Sequence, residues 1–438
     1  MKINTKSWFA TVNKYSLLTV AIFCRLGVLS TLLFMWAILI TGCRPASENF
    51  VRISWATNQH HTRMDAIDHF EKENPGIRVK IRPISEPRQF FLQCLYGDAP
   101  DVITFFQADT FQSFARNDLL LPLNPGNYTP WPFYQGLKDY CFRRGDNILM
   151  ALPQVAYPYV LYFNKKLVNP QKAMEVKSWE DLLALVKALS LQKNKSGKKV
   201  FSLDIQSDQV WFTTWYWQSG GSFFAQEDSR LILNRAKAVE TLERMNKWRA
   251  VTGIIPKADD RLNLPSKGAS QGVLGSLFLQ GRALFYWSGS WKICDFVNQD
   301  RIDWGIRSLP AGYDNDQTIL GGNSFGVSTR SKYPKQAKRF VNYLASLNAQ
   351  QRHIRHQIYM PARPACAVPG KYQVLKDQIA RARTMEYSSK FNEALLMDIF
   401  KETLEAHRLG FLTSLQAVEA LEKALQSGSV SSVGMNHE

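Results

Sequence analysis

Three strand-like segments alternate with two helix-like segments between residues 50 and 105, and this order restricts the possible folds more than any other feature. Residues 50–56, 77–81 and 101–105 have strand composition, with apolar side chains on alternate positions in the first. Residues 64–70 and 88–96 show helical spacing of apolar side chains. Pro75 ends the first helix, because proline cannot continue the hydrogen-bond ladder. The order predicts an α/β fold with a mostly parallel sheet covered by helices.

The alternation continues along the chain. We predict further strands at residues 160–163, 283–286, 303–306 and 324–327, and further helices at residues 179–191, 235–251 and 335–346. Ser178 is the predicted N-cap of the helix that starts at Trp179. Residues 372–426 have a helical pattern, and residues 427–438 are a predicted flexible tail.

The N-terminal segment has the features of a secretion signal. Residues 26–40 are 15 residues without a charge, whereas a helix that crosses a bilayer needs about 20. Four basic residues and no acidic residue precede this run: Lys2, Lys6, Lys14 and Arg25. Residues 39–43, LITGC, resemble the lipobox of bacterial lipoproteins, whose cysteine carries the lipid. This resemblance implies a signal peptide over residues 1–42, lipid attachment at Cys43 and a tether over residues 43–49.

Other interpretations of this segment stay open. The basic region is about 25 residues long and contains a second apolar patch at residues 17–24. A different start methionine or an uncleaved anchor would also account for this arrangement. A buried cysteine in a core helix is a further alternative, although polar residues 44–49 come directly after it.

The remaining 396 residues from Cys43 to Glu438 are too many for one core and fit two domains. Without the four signal charges, 50 basic residues face 37 acidic ones, a net charge of +13. The basic residues are scattered, so we expect no nucleic-acid partner. Cys94, Cys141, Cys294 and Cys366 allow up to two disulfides, and the sequence does not choose a pairing.

Several catalytic and cofactor classes lack their motifs. Neither the phosphate-binding GxxxxGK[ST] pattern nor the serine-hydrolase GxSxG pattern occurs. His353 and His356 are three residues apart, but no third ligand is evident nearby, so we expect no metal. We therefore expect a protein without cofactors that is not an enzyme.

Seven motifs in sequence order resemble the bacterial extracellular solute-binding protein family 1, the sugar receptors of ABC importers. They are FEKENPGIRV (70–79), APDVI (99–103), LYFNKKL (161–167), SWEDL (178–182), FLQGRAL (278–284), GGNSFGV (321–327) and PARP (361–364). The resemblance covers residues 53 to about 417. It implies a type II periplasmic-binding-protein fold, with two hinge-joined α/β lobes and a ligand cleft between them.

The resemblance also implies the domain boundaries and the setting. Lobe 1 would comprise residues 50–157 and 310–357, and lobe 2 residues 160–306 and 361–426, with crossings near 155–160, 306–312 and 357–361. The protein would be a monomer, anchored to a bacterial membrane through Cys43 with its body outside the cytoplasm. Its protein partner would be the permease of an ABC importer.

Candidate ligand contacts combine aromatic rings with polar groups, because sugars present flat C–H faces and hydroxyl rims. In lobe 1, Phe106 and Asp109 match the family's aromatic and acidic pair, with core packing and a helix cap as the alternatives. Trp55 and Asn58 follow the first strand. Tyr157, at the first crossing, falls where the maltose receptor has an acidic contact, which implies a different sugar; an aromatic wedge between the lobes is the alternative.

The remaining candidates lie later in the chain. Trp291 aligns with a stacking tryptophan of the maltose receptor. Trp211 shares a helix face with Trp215, and one face of that helix belongs to the core. Asn323 has an amide that suits sugar hydroxyls, and Arg363 suits a hydroxyl pair or a carboxylate, unless it forms a salt bridge between the lobes.

Three functions compete at this point. The first is a lipid-anchored receptor that closes around a sugar or oligosaccharide and delivers it to an importer. The second keeps this fold but binds an acidic solute, such as a glycerol phosphate or a uronic acid. The third is a carbohydrate-active envelope enzyme, which would need two carboxylates across the cleft, and Asp109 offers one of them.

Overall fold

The computed structural model describes residues 50–58, 61–84, 86–189, 197–205, 207–225, 230–251, 254–256, 276–297, 302–355, 360–385 and 393–427. Contacts divide the chain into two compact units, Met1–Val51 and Arg52–Glu438, and the second unit contains the fold. Cys43, the predicted signal peptide and tether, and the tail beyond residue 427 lie outside the described residues. None of the helices in the described ranges has the length and apolar character needed to cross a bilayer.

Nine strands form one sheet. They are β1 (Val51–Thr57), β2 (Ile77–Pro83), β3 (Val102–Phe105), β4 (Ala151–Asn164), β5 (Phe201–Ile205), β6 (Ala283–Gly289), β7 (Trp304–Arg307), β8 (Thr318–Val327) and β9 (Ala382–Arg383). The main strand order is β2-β1-β3-β8-β4-β6-β5, with β7 paired to β4 and β9 paired to β8.

Fourteen helices occur within the described residues. They are α1 (His61–Glu73), α2 (Pro87–Leu95), α3 (Ala108–Arg116), α4 (Pro170–Glu175), α5 (Trp179–Leu189), α6 (Asp208–Gln218), α7 (Arg235–Ala250), α8 (Ser276–Leu279), α9 (Ile293–Val297), α10 (Pro334–Leu344), α11 (Leu347–Arg355), α12 (Gln373–Ala380), α13 (Glu393–Arg408) and α14 (Ser414–Ser427). Short 3-10 helices include Pro125–Tyr128, Gln135–Tyr140, Ser290–Lys292 and Gly370–Tyr372.

Local sequence signals explain several helix ends. The Ser178 hydroxyl accepts a hydrogen bond from the Asp181 backbone N–H, which confirms the predicted cap of α5. The Asp181 carboxylate in turn accepts from the Ser178 N–H, which completes a reciprocal cap. Asn234 caps α7 through the Lys237 N–H.

The sheet is mixed, and the expectation of a mostly parallel sheet was wrong. β1 pairs parallel with β3, as predicted for the first alternating segment. However, β4 runs antiparallel to β6, β7 and β8, and β3 runs antiparallel to β8. Each of these antiparallel pairs contains β4 or β8, which are neighbours in the sheet and run in opposite directions.

β4 joins the two halves of the sheet. Residues 151–158 of β4 pair with β8, and residues 159–164 pair with β6 and β7. We call β2, β1, β3, β8 and the start of β4 the first half, and β6, β5, β7 and the end of β4 the second half. All 14 residues of β4 are buried, so the crossing lies inside the protein.

Each half has its own core. In the first half, Phe90, Phe105, Phe111 and Phe114 pack together under α2 and α3. In the second half, the core includes Trp179, Trp215 and Trp248, whose rings contact one another edge to face. No disulfide joins the four cysteines of the described residues, Cys94, Cys141, Cys294 and Cys366.

Contacts near two crossings favour boundaries other than those predicted. Leu309 and Ile319 belong to the core of the second half, so we propose that the lobe boundary lies near residue 320 instead of 310. The Ala362 N–H donates to the Gln154 carbonyl of β4, and the Arg363 N–H donates to the Gln350 side chain. We therefore propose that residues 360–366 belong with the first half.

Candidate functional site

Three aromatic rings meet where β4 passes from one half of the sheet to the other. Trp291 follows β6 within the 3-10 helix Ser290–Lys292. Its ring centroid lies 5.7 Å from that of Tyr157 and 5.1 Å from that of Tyr159. The interplanar angles are 84° and 90°, so both tyrosines meet the indole in edge geometry. The two tyrosines therefore fix the indole at the crossing.

Gly289 makes room for the Trp291 ring, whereas a Cβ on Gly321 would meet that ring only at an ordinary van der Waals distance. A Cβ atom on Gly289 would overlap the indole carbons Cζ3, Cε3 and Cη2. A Cβ on Gly321 would lie 3.9 Å from Cζ3 of Trp291 and 3.6 Å from Cβ of Tyr157. Gly289 has φ −78° and ψ 161°, which any residue adopts, so the glycine is required by space and not by backbone conformation.

Several buried polar atoms beside this ring lack a hydrogen-bond partner within the described part of the protein. They are Nε1 of Trp291, Oγ of Ser290, and both Oδ1 and Nδ2 of Asn323. Asn323 lies two residues beyond Gly321 on β8, and therefore on the same face, about 7 Å further along. We call Tyr157, Tyr159, Ser290, Trp291 and Asn323 the Trp291 cluster. Buried polar groups are almost always hydrogen-bonded, although core residues such as Trp211 and Trp215 also have an indole N–H without a partner in the described part of the protein.

Asp109, a predicted ligand contact, is a buried acidic residue. Asp109 is in the first turn of α3 and only 8% exposed. Burial raises the pKa of Asp109, while hydrogen bonds from Thr110 oppose that rise. Burial raises the pKa of the nearby Tyr140, and the charge of Asp109 raises it further. Asp109 is therefore within electrostatic reach of Tyr140, which is not a member of the cluster.

Two predicted contacts are core residues in the structure. Trp55 is fully buried, its Nε1 donates to Thr104 Oγ1 at 2.9 Å, and its ring packs against Phe325 and Phe340. Trp211 is fully buried in α6, against Trp215 and beneath the Arg249 guanidinium. Both indoles are enclosed by protein within one half of the sheet. We therefore omit Trp55 and Trp211 from the proposed site.

Arg363 also has a structural environment. Its Nε donates to the Ala345 carbonyl at 2.7 Å, just past the end of α10. Its guanidinium lies 4.5 Å from the centroid of the Phe133 ring. A cation at a helix C-terminus is favourable, and these contacts hold Arg363 within the first half, so we omit it as well.

Phe106 and Asn58 remain accessible. Phe106 is 39% exposed at the end of β3, one residue before the N-cap Gln107 of α3. Asn58 is exposed, and its Oδ1 accepts from the Arg63 Nε at 3.4 Å. These positions leave both side chains available to a ligand without placing them in the Trp291 cluster.

Sequence reasoning missed Tyr159, Ser290 and Tyr140. A usable signal existed for Tyr159, because it is two residues from Tyr157 and side chains two apart in a strand share a face. Ser290 precedes Trp291, and its glycine neighbour Gly289 already indicated close packing. No local pattern pointed to Tyr140, which packs beside Gly322 of β8 from a distant segment.

The segment that follows β9 contacts the 3-10 helix Gln135–Tyr140. The Thr384 hydroxyl, just beyond β9, donates to the Asp139 carboxylate in the 3-10 helix Gln135–Tyr140. Within the described ranges, no group of three or more His, Cys, Asp or Glu side chains is placed to hold a metal ion. The chemistry available at the crossing is therefore an aromatic ring together with hydroxyl, indole N–H and amide groups.

Comparison with known proteins shows the family to which this chain belongs. The profile of the bacterial extracellular solute-binding protein family matches residues 57–351. The chain belongs to this family. The multiple sugar-binding protein of Streptococcus mutans is 22% identical over 349 residues, 75% of this chain and 80% of that protein. The galactooligosaccharide-binding protein of Bacillus subtilis is 25% identical over 349 residues, 75% of each chain.

Solved structures of binding proteins share the fold of this family member. The maltose/maltodextrin-binding domain of Bdellovibrio bacteriovorus, bound to maltotriose, gives a TM-score of 0.70 at 18% identity and covers 86% of this chain and 99% of that one. An ABC substrate-binding protein of Listeria monocytogenes, in complex with cycloalternan, gives a TM-score of 0.72 at 18% identity, with coverages of 86% and 98%. The predicted two-lobed α/β fold is thereby confirmed.

Proposed function

We propose that this family member is the substrate-binding component of an ABC importer and that it binds a sugar or oligosaccharide at the Trp291 cluster. The observation that carries the proposal is the combination of a fixed aromatic ring with unpartnered buried polar groups. The indole N–H of Trp291 and the amide of Asn323 have no partner within the described residues. The names of the relatives from Streptococcus mutans and Bacillus subtilis support a sugar as the ligand.

The chemistry of a sugar complements this cluster. The C–H face of a pyranose packs on an aromatic ring, while its hydroxyls both donate and accept hydrogen bonds. The indole N–H can donate to one hydroxyl, and the Asn323 amide can donate to and accept from others. We propose Tyr157, Tyr159, Trp291 and Asn323 as direct contacts, and Phe106, Asp109 and Asn58 as residues that line the approach.

Closure of the lobes supplies the mechanism in this proposal. The cluster draws residues from β4, β8 and the turn after β6, so both halves of the sheet contribute to it. A ligand that touches both halves stabilises the closed arrangement by the difference in its affinity for the closed and open forms. In this proposal the hydrogen bond between Thr384 and Asp139 would form after the ligand has entered and would hold the closed arrangement. The importer permease would recognise this closed form.

We also propose that the protein is a lipoprotein of the cell envelope. Family membership supports a location outside the cytoplasm. Cys43 would carry the lipid, and several acyl chains at about 0.8 kcal/mol per buried methylene would hold it to a membrane. Labelling cells with a radioactive fatty acid tests this proposal: the wild-type protein should incorporate label and Cys43→Ser should not. Equal labelling of both would refute it.

Thermal unfolding of the purified protein against a panel of ligands tests the binding function. The panel should contain neutral oligosaccharides, uronic acids, glycerol phosphates and amino acids. A ligand of the folded state at one hundred times its Kd adds about 2.7 kcal/mol of stability. We expect a shift with one class of neutral sugar, whereas shifts with amino acids alone would refute the proposal.

The alternative functions have less support. The acidic-solute hypothesis relied on the net charge of +13 and on Arg363, whose guanidinium is held at the end of α10. The enzyme hypothesis needs a second carboxyl across the cleft. Incubation of the sugar ligand with the protein, followed by an assay for new reducing ends, separates the binder from the enzyme.

A further inference from the structure

The turn that carries Trp291 contains a buried ion pair directly beside the ring. Lys292 follows Trp291 in the 3-10 helix Ser290–Lys292, and Asp295 lies in the first turn of α9. Lys292 Nζ lies 2.9 Å from the Asp295 carboxylate, and these side chains are only 4% and 19% exposed. Lysine is almost never this deeply buried unless it is paired. We call residues 289–295 the Trp291 turn.

Two hydrogen bonds also hold the backbone of the Trp291 turn. The Cys294 Sγ donates to the Trp291 carbonyl at 2.9 Å, and the Tyr162 hydroxyl of β4 donates to the Gly289 carbonyl at 3.0 Å. Burial raises the pKa of Tyr162 most, and nearby charges, among them that of Asp295, raise it further. The ion pair therefore lies within electrostatic reach of the side chain that ties the turn to the sheet.

The Trp291 turn is held from both faces of the sheet. The Trp291 ring contacts Tyr159 and the core of the second half. Tyr159 and Tyr162 are three residues apart in β4, so their side chains point to opposite faces. The indole packs on the face of Tyr159, while Tyr162 holds Gly289 from the other face. A rotation of the turn would consequently carry the indole away from Tyr159.

Stability alone does not account for the ion pair of Lys292 and Asp295. Removal of one partner from a buried ion pair is strongly destabilising, whereas replacement of both partners by uncharged side chains of similar size is often neutral or stabilising. The net contribution of such a pair to the free energy of unfolding is therefore small. Its geometry, however, restricts the backbone on both sides of residue 293. Since Lys292 is bonded directly to Trp291, this restriction reaches the indole.

We propose that Lys292 and Asp295 are positioning residues for Trp291, whose ion pair fixes the Trp291 turn so that the indole is in place before the sugar arrives. Neither side chain touches the sugar, and both act through the ring. This inference rests on the proposed function, in which Trp291 is a direct sugar contact. A ring held in its bound position improves affinity, because it does not have to be ordered during binding.

Two uncharged substitutions separate positioning from stability. Lys292→Met and Asp295→Asn should each lower the melting temperature when made alone, since each breaks the buried pair. The double variant should recover most of that loss but bind the sugar with a Kd about tenfold above that of the wild type, because the turn is no longer fixed. A merely structural pair would change the melting temperature and leave the Kd, measured well below that temperature, at the wild-type value.

A signal from the unliganded protein tests the positioning role without the sugar. The full-length protein is labelled with 5-fluorotryptophan, and the fluorine NMR signal of Trp291 is assigned by its loss in Trp291→Phe. In the double variant, Lys292→Met with Asp295→Asn, this signal should split or broaden, because the ring occupies more than one position. The signals of the core residues Trp55 and Trp211 should keep their wild-type shape.

A matched ion pair elsewhere in the second half provides the control. Lys165 Nζ lies 3.3 Å from the Asp303 carboxylate, and these side chains are 39% and 56% exposed. Lys165→Met with Asp303→Asn removes the same two charges, but exposed pairs contribute little. This control should leave both the Trp291 signal and the Kd at their wild-type values.

Three results would overturn the positioning role. They are a Trp291 signal in the double variant with the wild-type position and width, an equal change of that signal in the control pair, and a wild-type Kd in the double variant for a sugar whose binding requires Trp291. Failure of the proposed function looks different: the wild-type protein binds no sugar, or binds it equally well after Trp291→Ala. The fluorine signal still decides in that case whether the ion pair positions the ring.

Discussion

Gly289→Ala should impair sugar binding as much as removal of the Trp291 ring. The alanine Cβ would overlap three carbons of the indole, whereas non-bonded carbons keep about 3.5–4.0 Å apart. The ring must therefore move by at least about 1 Å. The backbone at residue 289 accepts alanine, since φ is −78°. The substitution consequently acts on the position of Trp291 and not on the strand.

The expected size depends on the role proposed for the indole. Truncation of a central tryptophan in a binding site typically costs about 2 kcal/mol or more, which corresponds to a Kd about 30 times higher. We expect Gly289→Ala to raise the Kd for the sugar by a similar factor, measured by calorimetry. If Gly289 acts only through the indole, Gly289→Ala combined with Trp291→Ala should bind no more weakly than Trp291→Ala alone.

Gly76→Ala is the matched control, because a Cβ on Gly76 meets no atom within 4 Å. Its Kd should equal that of the wild-type protein. Two results would refute the proposed role of Gly289. The first is a wild-type Kd for Gly289→Ala. The second is a double variant, Gly289→Ala with Trp291→Ala, whose loss of binding free energy equals the sum of the losses in the two single variants. A large drop in the melting temperature of Gly289→Ala would show instead that the strand, and not the ring, had been disturbed.

Three other substitutions probe the amide, the core tryptophans and the buried carboxyl. Asn323→Leu should raise the melting temperature of the unliganded protein, because it removes a buried amide without partners in the described residues. The same variant should weaken sugar binding about tenfold. A lower melting temperature with an unchanged Kd would contradict this prediction. Trp55→Phe and Trp211→Phe should lower the melting temperature by several degrees, because both rings are core, yet leave the Kd within about twofold. Burial raises the pKa of Asp109 in the folded state, so this carboxyl should reduce the free energy of unfolding as pH rises from its unfolded pKa, about 3.9, through the folded value. In denaturant titrations the free energy of unfolding of Asp109→Asn, relative to that of the wild type, should therefore increase over this pH window. A difference that stays constant with pH would refute the prediction.

Apolar periodicity predicted much of the first half of the sheet. The first helix ends at Glu73, just before Pro75, and β2 begins at Ile77. The full length of β4 was not predicted. Residues 151–158 include Pro153 and Pro158, and proline within a run argues against a strand. Proline is tolerated here because this stretch includes a register shift between Pro153 and Val155 and ends where the pairing partner changes.

The candidate site was less accessible to sequence reasoning. A tryptophan in a core strand and a tryptophan in a cleft have the same local sequence pattern, so the sequence did not indicate that Trp55 is fully buried. Residues Val210–Gln218 of α6 are buried on every side, so no polar face distinguishes Trp211 from its neighbours. Trp291 was selected through the family resemblance, and its role as a ligand contact stays a prediction.

A crystal structure of the protein with the oligosaccharide that gives the largest thermal shift tests the central claim most directly. We predict a sugar ring packed on the Trp291 indole, with hydroxyls hydrogen-bonded to Nε1 of Trp291 and to the amide of Asn323. A sugar bound elsewhere, with both of these groups still unpartnered, would contradict the proposed site.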